Sequence, residues 1–433
     1  MRDAVEIAPV RKLEAEVRVP GSKSYSQRAL IISALAEGES VLENFLISDD
    51  TRVLMDALGA LGPRIACSGE TVFVSGTGGR ILRPGRTFYL GNNGTAMRFL
   101  SGVVALGKGR FVLTGDRRLC ERPIGQLLQA LRDAGVEAAS ERGDGCPPVI
   151  VKAGGIPGGM VVLEDIASSQ FISSLLICSP FARNGMEIEL RGKPVSMPYI
   201  DMTLEVMKGY GVEVERPEPG RFRLARPTRY TGRRYRIEGD ASGASYFFAA
   251  AAAAGGRVRV GGIRPDSRQG DAGFLKILES LGCRISAGED WTEVEGAVTK
   301  AGELSFDMGD MPDMVPTLAV VSALRKGRTV IRNAAHLRHK ESDRIGMMIL
   351  ELNRIGARAE ETRDGMTIEG GGSLRGAEIE THRDHRIAMS MAVAGLVVPG
   401  IRIRDPDCVG KSFPGFWAEF NKLYVRERKG TEQ

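Results

Sequence analysis

The chain has 433 residues, of which 42% are hydrophobic and 26% charged, and its formal net charge is +5. This length predicts two domains, and the mild, dispersed positive charge disfavours a nucleic-acid partner but permits small anionic ligands. The N-terminus shows no secretory signal, and the longest run of small residues is too short to span a bilayer. None of the six cysteines forms a CxxC pair, as is usual in a reducing compartment. We therefore expect a cytoplasmic protein without a membrane or nucleic-acid partner.

The first predicted strand, "LEAEVRV", is followed by "PGSKSYSQR" and then by an apolar helix. A Walker motif requires a Gly-Lys pair with another glycine upstream, but in the middle segment Lys23 follows Ser22 and the upstream residues are "EVRV". The match fails, so a nucleotide kinase is a weak alternative. The hydroxyl groups of this segment, with Lys23 and Arg28 about one helical turn apart, suit a phosphate cradle. A polar turn that only caps the helix is the other interpretation.

Two kinds of helix alternate along the rest of the chain and form an internal repeat. The first kind is amphipathic and ends in a glycine, which is expected where a helix stops in a left-handed cap. These glycines, 73, 76, 71 and 74 residues apart, are Gly62, Gly135, Gly211, Gly282 and Gly356. A sixth amphipathic segment, "FPGFWAEFNKLYV", follows near the C-terminus. The second kind of helix is apolar on all sides, as in "QFISSLLICSPFARNG", and must be buried.

Six such repeats divide naturally into two lobes of three. The segment "RPTRYTGRRYRIEG" is the predicted crossing between them. If the first strand joins the second lobe, the chain crosses twice, which suits a hinge that closes on a ligand. The predicted N-terminal lobe spans residues 20–236, and the C-terminal lobe combines residues 1–19 with residues 237–433. The site is expected in the cleft between the lobes.

Polar residues stand directly before each of the six apolar helices. The sets are Lys23, Ser24 and Arg28; Asn92, Gly94 and Thr95; Ser168, Ser169 and Gln170; Asp240 and Ser242; Asp310 and Asp313; and Asp384, His385 and Arg386. A helix N-terminus attracts anions, so parallel helices in each lobe would turn both groups of N-termini toward one cleft. Capping alone is the favoured interpretation for Thr95, Ser242 and Asp384. It does not explain the cations, which are disfavoured in a first helical turn and therefore indicate an anionic ligand.

Two later motifs carry candidate acid–base residues. In "HLRHKESDRIGMM", Glu341 and Arg344 extend the apolar stripe of the following helix and should project toward its buried side. In "DMPDMVPTLAVV", Asp313 stands at the entry of an apolar helix. It is either an N-cap or a base whose pKa is set by nearby charge.

Other candidates are weaker on the sequence alone. Arg122, in "CERPIGQLLQAL", is equally well explained as a surface arginine at a helix start. Cys120 is more simply a half-buried thiol than a nucleophile, because no histidine is near it in sequence. The four histidines form two pairs that could bind a metal, but no cysteine or carboxylate triad completes such a site.

Nine motifs, in order, resemble those of the 5-enolpyruvylshikimate-3-phosphate synthase family, and the resemblance covers nearly the full length. They are "GSKSYSQRA", "GNNGTAMR", "ERPIGQL", "SSQFISSLL", "MPYIDMT", "DMPDMVPTLA", "KESDRI", "DHRIAM" and "GKSFPGFW". The resemblance implies an α/β (α+β) fold, a two-lobed inside-out α/β barrel in which each lobe has three βαβαββ units around buried parallel helices. We also expect a monomer.

The resemblance also implies an activity, the transfer of the enolpyruvyl group of phosphoenolpyruvate to the 5-hydroxyl of shikimate 3-phosphate. The reaction proceeds by addition and elimination through a tetrahedral intermediate and releases phosphate. It belongs to the shikimate pathway to chorismate and the aromatic amino acids. It requires no metal or organic cofactor, so the two substrates are the expected small-molecule partners.

The matched motifs assign roles to individual residues. Shikimate 3-phosphate would be held by Lys23, Ser24, Arg28, Ser168, Ser169, Gln170, Ser196, Tyr199, Asp313 and Lys340. Phosphoenolpyruvate would be held by Lys23, Gly94, Arg122, Gln170, Arg344, Arg386 and Lys411. Asp313 would be the base for the 5-hydroxyl, and Glu341 and Lys23 would donate protons to the methylene carbon and the leaving phosphate. The division of these roles among the three catalytic residues stays open.

The sequence departs from the family pattern at four positions. Asn93 and Phe99 replace a common Ala and Pro, His336 replaces a common Asn, and Met197 replaces a Lys. The nearest rival is the related UDP-N-acetylglucosamine enolpyruvyl transferase family, which carries a loop cysteine five residues before an Arg-Pro pair. Here Cys120 is only two residues before that arginine. A non-catalytic anion-binding protein is the other rival, which the paired carboxylates in the predicted cleft disfavour.

Overall fold

The computed structural model describes residues 3–83, 85–192 and 196–424. Twelve α-helices alternate in character along these residues. They are α1 (Lys23–Leu35), α2 (Asp49–Gly59), α3 (Gly94–Ala105), α4 (Gly125–Asp133), α5 (Ser169–Cys178), α6 (Met197–Gly209), α7 (Ala241–Ala254), α8 (Phe274–Ser280), α9 (Val315–Leu324), α10 (Arg344–Arg354), α11 (His385–Gly395) and α12 (Phe416–Phe420). The odd-numbered helices are the six predicted apolar ones and are almost wholly buried.

The strands are short and form six small sheets within the described residues. They are β1 (Ala4–Ile7), β2 (Leu13–Arg18), β3 (Glu39–Glu43), β4 (Arg64–Ser68), β5 (Thr71–Ser75), β6 (Phe88–Tyr89), β7 (Lys108–Thr114), β8 (Glu137–Ser140), β9 (Val149–Gly154), β10 (Gly159–Glu164), β11 (Met186–Arg191), β12 (Arg221–Leu224), β13 (Arg234–Arg236), β14 (Gly256–Gly261), β15 (Arg284–Ala287), β16 (Trp291–Glu295), β17 (Leu304–Asp307), β18 (Gly327–Arg332), β19 (Arg358–Thr362), β20 (Gly365–Gly370), β21 (Glu378–Ile379) and β22 (Ile401–Arg404). Because the apolar helices lie inside and these sheets cover them, the fold is an inside-out α/β arrangement.

Each sheet contains one parallel pair of strands among the residues described. The sheet orders are β13-β3-β5-β4, β6-β7-β9-β8, β10-β11-β12, β15-β16-β14-β2, β17-β18-β20-β19 and β1-β22-β21. In four sheets a buried helix joins the parallel strands, as α3 joins β6 to β7. In the other two the strands are exchanged: β2 precedes α1 but pairs with β14, and β13 precedes α7 but pairs with β3.

The chain therefore crosses twice between two hydrophobic cores. In the described residues one core runs from Tyr25 to Ile237, and the other combines residues 7–19 with residues 241–423. The two crossings lie side by side, because Gly21 and Gly239 form an antiparallel bridge. The backbone N–H of Ser22 also donates to the carbonyl of Glu238 at 2.7 Å. This connection leaves a cleft between the cores.

The glycines predicted at the helix ends have the expected conformation. The φ angles are 125° at Gly62, 85° at Gly135, 86° at Gly211, 108° at Gly282 and 92° at Gly356. Each helix ends two or three residues before its glycine. The sixth amphipathic segment is shorter than predicted: α12 has five residues and a 3-10 turn follows it, and the last predicted residue lies outside the described residues. Over the described chain, no helix combines the length and apolarity that a bilayer crossing requires.

Candidate active site

The candidate site is a cavity in the cleft between the two cores, where the first turns of helices from both halves meet. Fourteen of the sixteen residues that the motifs imply line this one cavity. They are Lys23, Ser24, Gly94, Arg122, Ser168, Ser169, Gln170, Ser196, Tyr199, Asp313, Lys340, Glu341, Arg344 and Arg386. The remaining two, Arg28 and Lys411, lie outside its lining. The cavity thus collects residues that are distant in sequence, although their individual roles stay predictions.

Helix capping places the polar side chains of α1, α3 and α5. Their caps are Ser22, Asn93 and Ser168, each of which accepts a backbone N–H from the first turn of its own helix. Because the caps satisfy these donors, the helices can begin in the cleft with cationic or small residues. Lys23 and Gly94 are the first residues after two of these caps, and both line the cavity.

The capping predictions were correct for Asp384 but wrong for Thr95 and Ser242. Asp384 accepts a backbone N–H of α11 at 3.0 Å. The caps of α3 and α7 are instead Asn93 and Asp240, which stand two residues earlier and accept the first-turn N–H groups. The later hydroxyl residues are therefore already inside their helices, and the hydroxyl of Thr95 accepts a hydrogen bond from the amide of Gln170 at 2.9 Å.

Asp313 binds cations and does not cap its helix. In the described residues α9 begins at Val315 without a side-chain cap. The carboxylate of Asp313 lies 2.8 Å from Arg344 Nη1 and 2.6 Å from Arg386 Nη2, with Lys340 Nζ at 3.8 Å. The capping interpretation of Asp313 is therefore wrong. Its carboxylate is held by these cations and lines the cavity.

Arg344 is the centre of a buried charge network. Its side chain is only 1% exposed and also lies 2.7 Å from Glu341 and 2.8 Å from Asp384. The predicted direction of Glu341 and Arg344, toward the buried side of α10, is confirmed. Ion pairs in so buried a place interact strongly, because the effective dielectric is far below that of water. The network therefore fixes both candidate catalytic carboxylates on one cation.

A second cluster of charges joins the two halves at Lys23 and Asp50, which also line the cavity. The carboxylate of Asp50 lies 3.3 Å from Lys23 Nζ and 2.6 Å from Lys411 Nζ. Lys411 also donates to the carbonyl of Asn92 at 3.0 Å. Lys411 comes from the second core and the other residues come from the first, so Asp50 is a shared counter-ion across the cleft.

The cations lower the pKa of both carboxylates that face the cavity. Burial raises the pKa of Asp313, but the charges of Arg386, Lys340 and Arg344 outweigh it and hold that pKa well below its ordinary value. Burial likewise raises the pKa of Glu341, and Arg344 with three further cations holds it well below its ordinary value. Both groups are therefore carboxylates at neutral pH in this structure.

Further direct contacts cross the cleft among the described residues. The guanidinium of Arg118 donates to the carbonyls of Arg338, at 2.7 Å, and Lys340, at 3.0 Å. Arg122 Nε donates to the carbonyl of His339 at 3.0 Å. On the opposite side the hydroxyl of Ser196 donates to a backbone carbonyl of the second core at 3.0 Å. These contacts connect the two cores directly across the cleft.

Arg28 supports the cavity wall from behind in this structure. Its side chain is 1% exposed and donates to the carbonyls of Ser24, at 3.0 Å, and Tyr199, at 3.1 Å. A third bond, of 2.7 Å, reaches the hydroxyl of Thr203. Burial lowers the pKa of Arg28 to about 10, so it stays charged at neutral pH. Arg28 thus fixes two residues that do line the cavity.

The sequence interpretation missed two charged residues of the cavity. Arg98 is 5% exposed and donates to the side-chain carbonyl of Gln170 at 3.2 Å, and burial lowers its pKa to about 9. Its signal was a single charge inside the apolar helix "TAMRFLSGVVALGKG". Asp50 was missed because it follows the cap Ser48 and resembles an ordinary first-turn acid of α2.

Two histidines line the cavity in neutral form. Burial, with Lys340 nearby, lowers the pKa of His336 to about 4. Burial and the charge of Arg118 also lower the pKa of His339. The weak metal hypothesis for the histidine pairs receives no support, since no group of three or more His, Cys, Asp or Glu in the described chain is arranged to hold an ion.

The inside-out fold and the cationic cleft define a two-lobed α/β enzyme. A family model described as "EPSP synthase (3-phosphoshikimate 1-carboxyvinyltransferase)" matches residues 7–420. The chain belongs to this family, as the motifs predicted.

Individual relatives match over nearly their whole length. A 3-phosphoshikimate 1-carboxyvinyltransferase of Nostoc punctiforme is 42% identical over 97% of this chain and 99% of its own. One from Methanoculleus marisnigri is 42% identical over 95% of this chain and 97% of its own. The solved EPSP synthase of Acinetobacter baumannii superposes with a TM-score of 0.79 at 30% identity and covers 96% of this chain and 97% of that one. The fold class predicted from the sequence is therefore confirmed.

Proposed function

We propose that this enzyme transfers the enolpyruvyl group of phosphoenolpyruvate to the 5-hydroxyl of shikimate 3-phosphate and releases phosphate. The relatives carry the name of this activity over nearly the full chain. The observation that supports it best is one cavity with cations from both cores beside Asp313 and Glu341. Two phosphorylated substrates need many cations, and proton transfer needs the carboxylates.

The proposed binding residues separate into two groups by the chemistry of their side chains. Ser168, Ser169, Ser196 and Tyr199 offer hydroxyl groups for the polyol and phosphate of shikimate 3-phosphate. The guanidinium groups of Arg122, Arg344 and Arg386 and the ammonium group of Lys23 suit the carboxylate and phosphate of phosphoenolpyruvate, because forked arginine donors match such anions. Gln170, which bonds to Arg98 and Thr95 in this lining, is proposed to contact both substrates. Gly94 is proposed to give close backbone approach: the guanidinium groups of Arg98 and Arg122 already lie against its backbone, where a Cβ would be 2.3 Å from Arg98 Nη1 and 2.6 Å from the guanidinium carbon of Arg122.

Substrate binding prepares the carboxylates for proton transfer. A carboxylate whose pKa lies far below neutral is a weak base. The substrate anions compete for the cations that now lie against Asp313 and Glu341, and their own negative charge opposes ionisation of both groups. Both effects raise the pKa values. Asp313 is then proposed to accept the proton of the 5-hydroxyl, while Glu341 and Lys23 deliver protons to the methylene carbon and the leaving phosphate.

We further propose the setting in which this reaction occurs. Residues 20–236 form one lobe, and residues 1–19 with 237–433 form the other; the two separate cores and the paired crossing support this division. The lobes close over the substrates as a monomer in the cytoplasm. No cofactor is required, because cations of the chain supply the charge stabilisation that a metal would provide.

A phosphate-release assay tests the proposed function. Purified enzyme should release phosphate from phosphoenolpyruvate only when shikimate 3-phosphate is added. Release with UDP-N-acetylglucosamine in place of shikimate 3-phosphate would contradict the proposal and support the related family. That outcome is disfavoured by Cys120, whose thiol lies 3.7 Å from both the hydroxyl of Thr114 and the carbonyl of Gly115, outside the cavity lining.

A further inference from the structure

A buried carboxylate outside the motifs, Asp271, lies directly behind the cavity wall. It belongs to the 3-10 turn Gly270–Gly273 that precedes α8 in the second core, and it is 4% exposed. The turn packs closely against the start of α6 from the first core. A Cβ on Gly270 would lie 2.6 Å from the carbonyl oxygen of Asp310 and 2.9 Å from Cβ of Pro198, so only glycine permits this approach.

This close packing brings Asp271 to the hydroxyl of Tyr199. The phenol oxygen lies 3.2 Å from each carboxylate oxygen of Asp271. Burial and the negative charge of Asp271 raise the pKa of Tyr199 well above its ordinary value, so the phenol remains a hydrogen-bond donor. The hydroxyl of Ser242, in the first turn of α7, also donates to Asp271. The carboxylate therefore accepts hydrogen bonds from both cores.

Tyr199 is consequently fixed at both of its ends. Its backbone carbonyl accepts bonds from Arg28, at 3.1 Å, and from the hydroxyl of Thr203, at 3.0 Å, within the first core. Its phenol is fixed from the second core by Asp271. Between these ends the side chain lines the cavity. Without the Asp271 acceptor, the backbone of Tyr199 would stay in place, but its phenol ring would lose its fixed orientation.

Three charged groups, Asp313, Arg386 and Asp240, act on the Asp271 carboxylate besides the two hydroxyl donors. Burial raises the pKa of Asp271 to about 6, and the charge of Asp313 adds to this. The charge of Arg386 and the bond from Ser242 oppose the increase, whereas Asp240 contributes to it. At neutral pH the group is an anion and accepts hydrogen bonds from both hydroxyl groups.

We propose that Asp271 is a positioning residue, which holds the phenol of Tyr199 from the other side of the cleft and so sets its contact with shikimate 3-phosphate. The proposal rests on the proposed function. A purely structural role, in which Asp271 only anchors α7 through Ser242, is the alternative. The two roles differ in whether the effect of Asp271 passes through the Tyr199 hydroxyl.

A double-mutant cycle separates these roles. Asp271→Asn keeps the shape of the side chain but removes its charge, and Tyr199→Phe removes the hydroxyl. Each should raise KM for shikimate 3-phosphate about tenfold, the loss expected for one hydrogen bond to a charged group, and leave KM for phosphoenolpyruvate within about twofold. In the Tyr199→Phe background, adding Asp271→Asn should change neither KM further.

Glu351→Gln provides the matched control. Glu351 is an equally buried carboxylate of the second core, bonded to His382 at 3.0 Å and to Arg354 at 3.2 Å, away from the cavity lining. It should leave both KM values unchanged. An Asp271→Asn effect of equal size with and without the Tyr199 hydroxyl, or an equal rise in both KM values, would overturn the proposal in favour of the structural role.

The outcomes also separate this proposal from the proposed function. If the unaltered enzyme releases no phosphate with shikimate 3-phosphate, the proposed function fails and the proposal for Asp271 fails with it. If the unaltered enzyme is active and Asp271→Asn has normal KM values, only the Asp271 proposal fails. Should Asp271→Asn not fold, Tyr199→Phe alone decides: an unchanged KM for shikimate 3-phosphate overturns the proposal.

Discussion

Asp313 shows how a single residue can serve two opposite electrostatic needs. In this structure it neutralises Arg344 and Arg386, which would otherwise be buried cations close to one another. Removing one partner of such a network leaves uncompensated charge. Substrate anions can replace Asp313 as the counter-ion, and this exchange releases the carboxylate for proton transfer. The residue therefore contributes both to stability and to the proposed chemistry.

We predict that Asp313→Ala lowers kcat by about a thousandfold, because a positioned general base contributes about 10²–10⁴-fold. Binding of phosphoenolpyruvate should stay intact or become tighter, since Arg344 and Arg386 lose a competing anion. Steady-state kinetics and calorimetry measure the two effects. Asp310→Ala is the control on the same loop and should leave kcat unchanged. Loss of phosphoenolpyruvate binding together with kcat would contradict this assignment.

The neutral form of His336 predicts a pH dependence of stability. Its pKa falls from 6.5 in the unfolded chain to about 4 in the folded enzyme, so the unfolded chain binds more protons between these values. Stability is therefore lost as the pH falls from 6.5 toward 4. The loss at pH 5 should be about 2 kcal/mol. Urea denaturation of the enzyme and of His336→Asn at pH 7 and pH 5 checks this.

His336→Asn should lose less stability than the unaltered enzyme between these two pH values. The measurement at pH 7, where the imidazole is mostly neutral in the unfolded chain and neutral in the folded one, is the internal reference. Parallel losses in the two proteins would assign the acid sensitivity to other groups. The Asn also restores the residue that the family resemblance associates with this position.

The sequence predicted most of the cavity because its residues violate an ordinary preference. Lys23 and Arg386 stand in first helical turns, where the dipole disfavours cations, and both line the cavity. Asp50 is an acid in a first helical turn, which the dipole favours, so nothing in the sequence distinguished it from an ordinary helix start. The hydrogen bond between Tyr199 and Asp271 was equally hidden, because no local pattern reports which turn packs against which helix.

At the level of elements, the buried helices α3 and α5 pack unusually closely. A Cβ on Gly102 would lie 2.7 Å from the hydroxyl oxygen of Ser174 and 3.0 Å from the thiol of Cys178. That hydroxyl donates to the carbonyl of Arg98 at 2.8 Å, so the close approach also fixes a residue of the cavity wall. The close spacing of α3 and α5 thus depends on the absence of a side chain at Gly102.

We predict that Gly102→Ala lowers the free energy of unfolding by about 1–2 kcal/mol, because overpacking outweighs the better helix propensity of alanine. Gly59→Ala is the matched control, since Gly59 is helical and exposed and a Cβ there meets no described atom within 4 Å. It should raise stability by about 0.5 kcal/mol. Chemical denaturation measures both. Stabilisation by Gly102→Ala would show that the two helices can separate freely.

The element pattern was predictable where it depends on local chemistry. The six apolar helices and the glycines beyond the amphipathic helices follow from hydrophobicity and backbone conformation. The pairing of the short strands does not, because a strand of four to six residues carries too little pattern to specify its neighbour. From the sequence, the pairing of β2 with the second lobe could be stated only conditionally, and the matching pairing of β13 with β3 was not predicted.

At the level of the whole molecule, Arg118 is predicted to hold the lobes together. It bonds two carbonyls across the cleft, whereas its neighbour Arg117 is 95% exposed and pairs only with Glu121 in the described chain. Arg118→Ala should lower kcat/KM for both substrates about tenfold, because closure then yields two fewer hydrogen bonds. Arg117→Ala should have no effect. Equal kinetics of the two variants would exclude a role of Arg118 in closure.

The paired crossing at Gly21 and Gly239 has a consequence for how the two halves can move. A single connecting chain leaves rotation about the chain axis free, in addition to bending. Two bridged connections side by side remove that torsion, so relative motion is reduced to one angular coordinate. Closure along one coordinate loses little conformational entropy and brings the same side chains into register in every cycle. Severing one connection would restore the torsion while every non-covalent contact remained available.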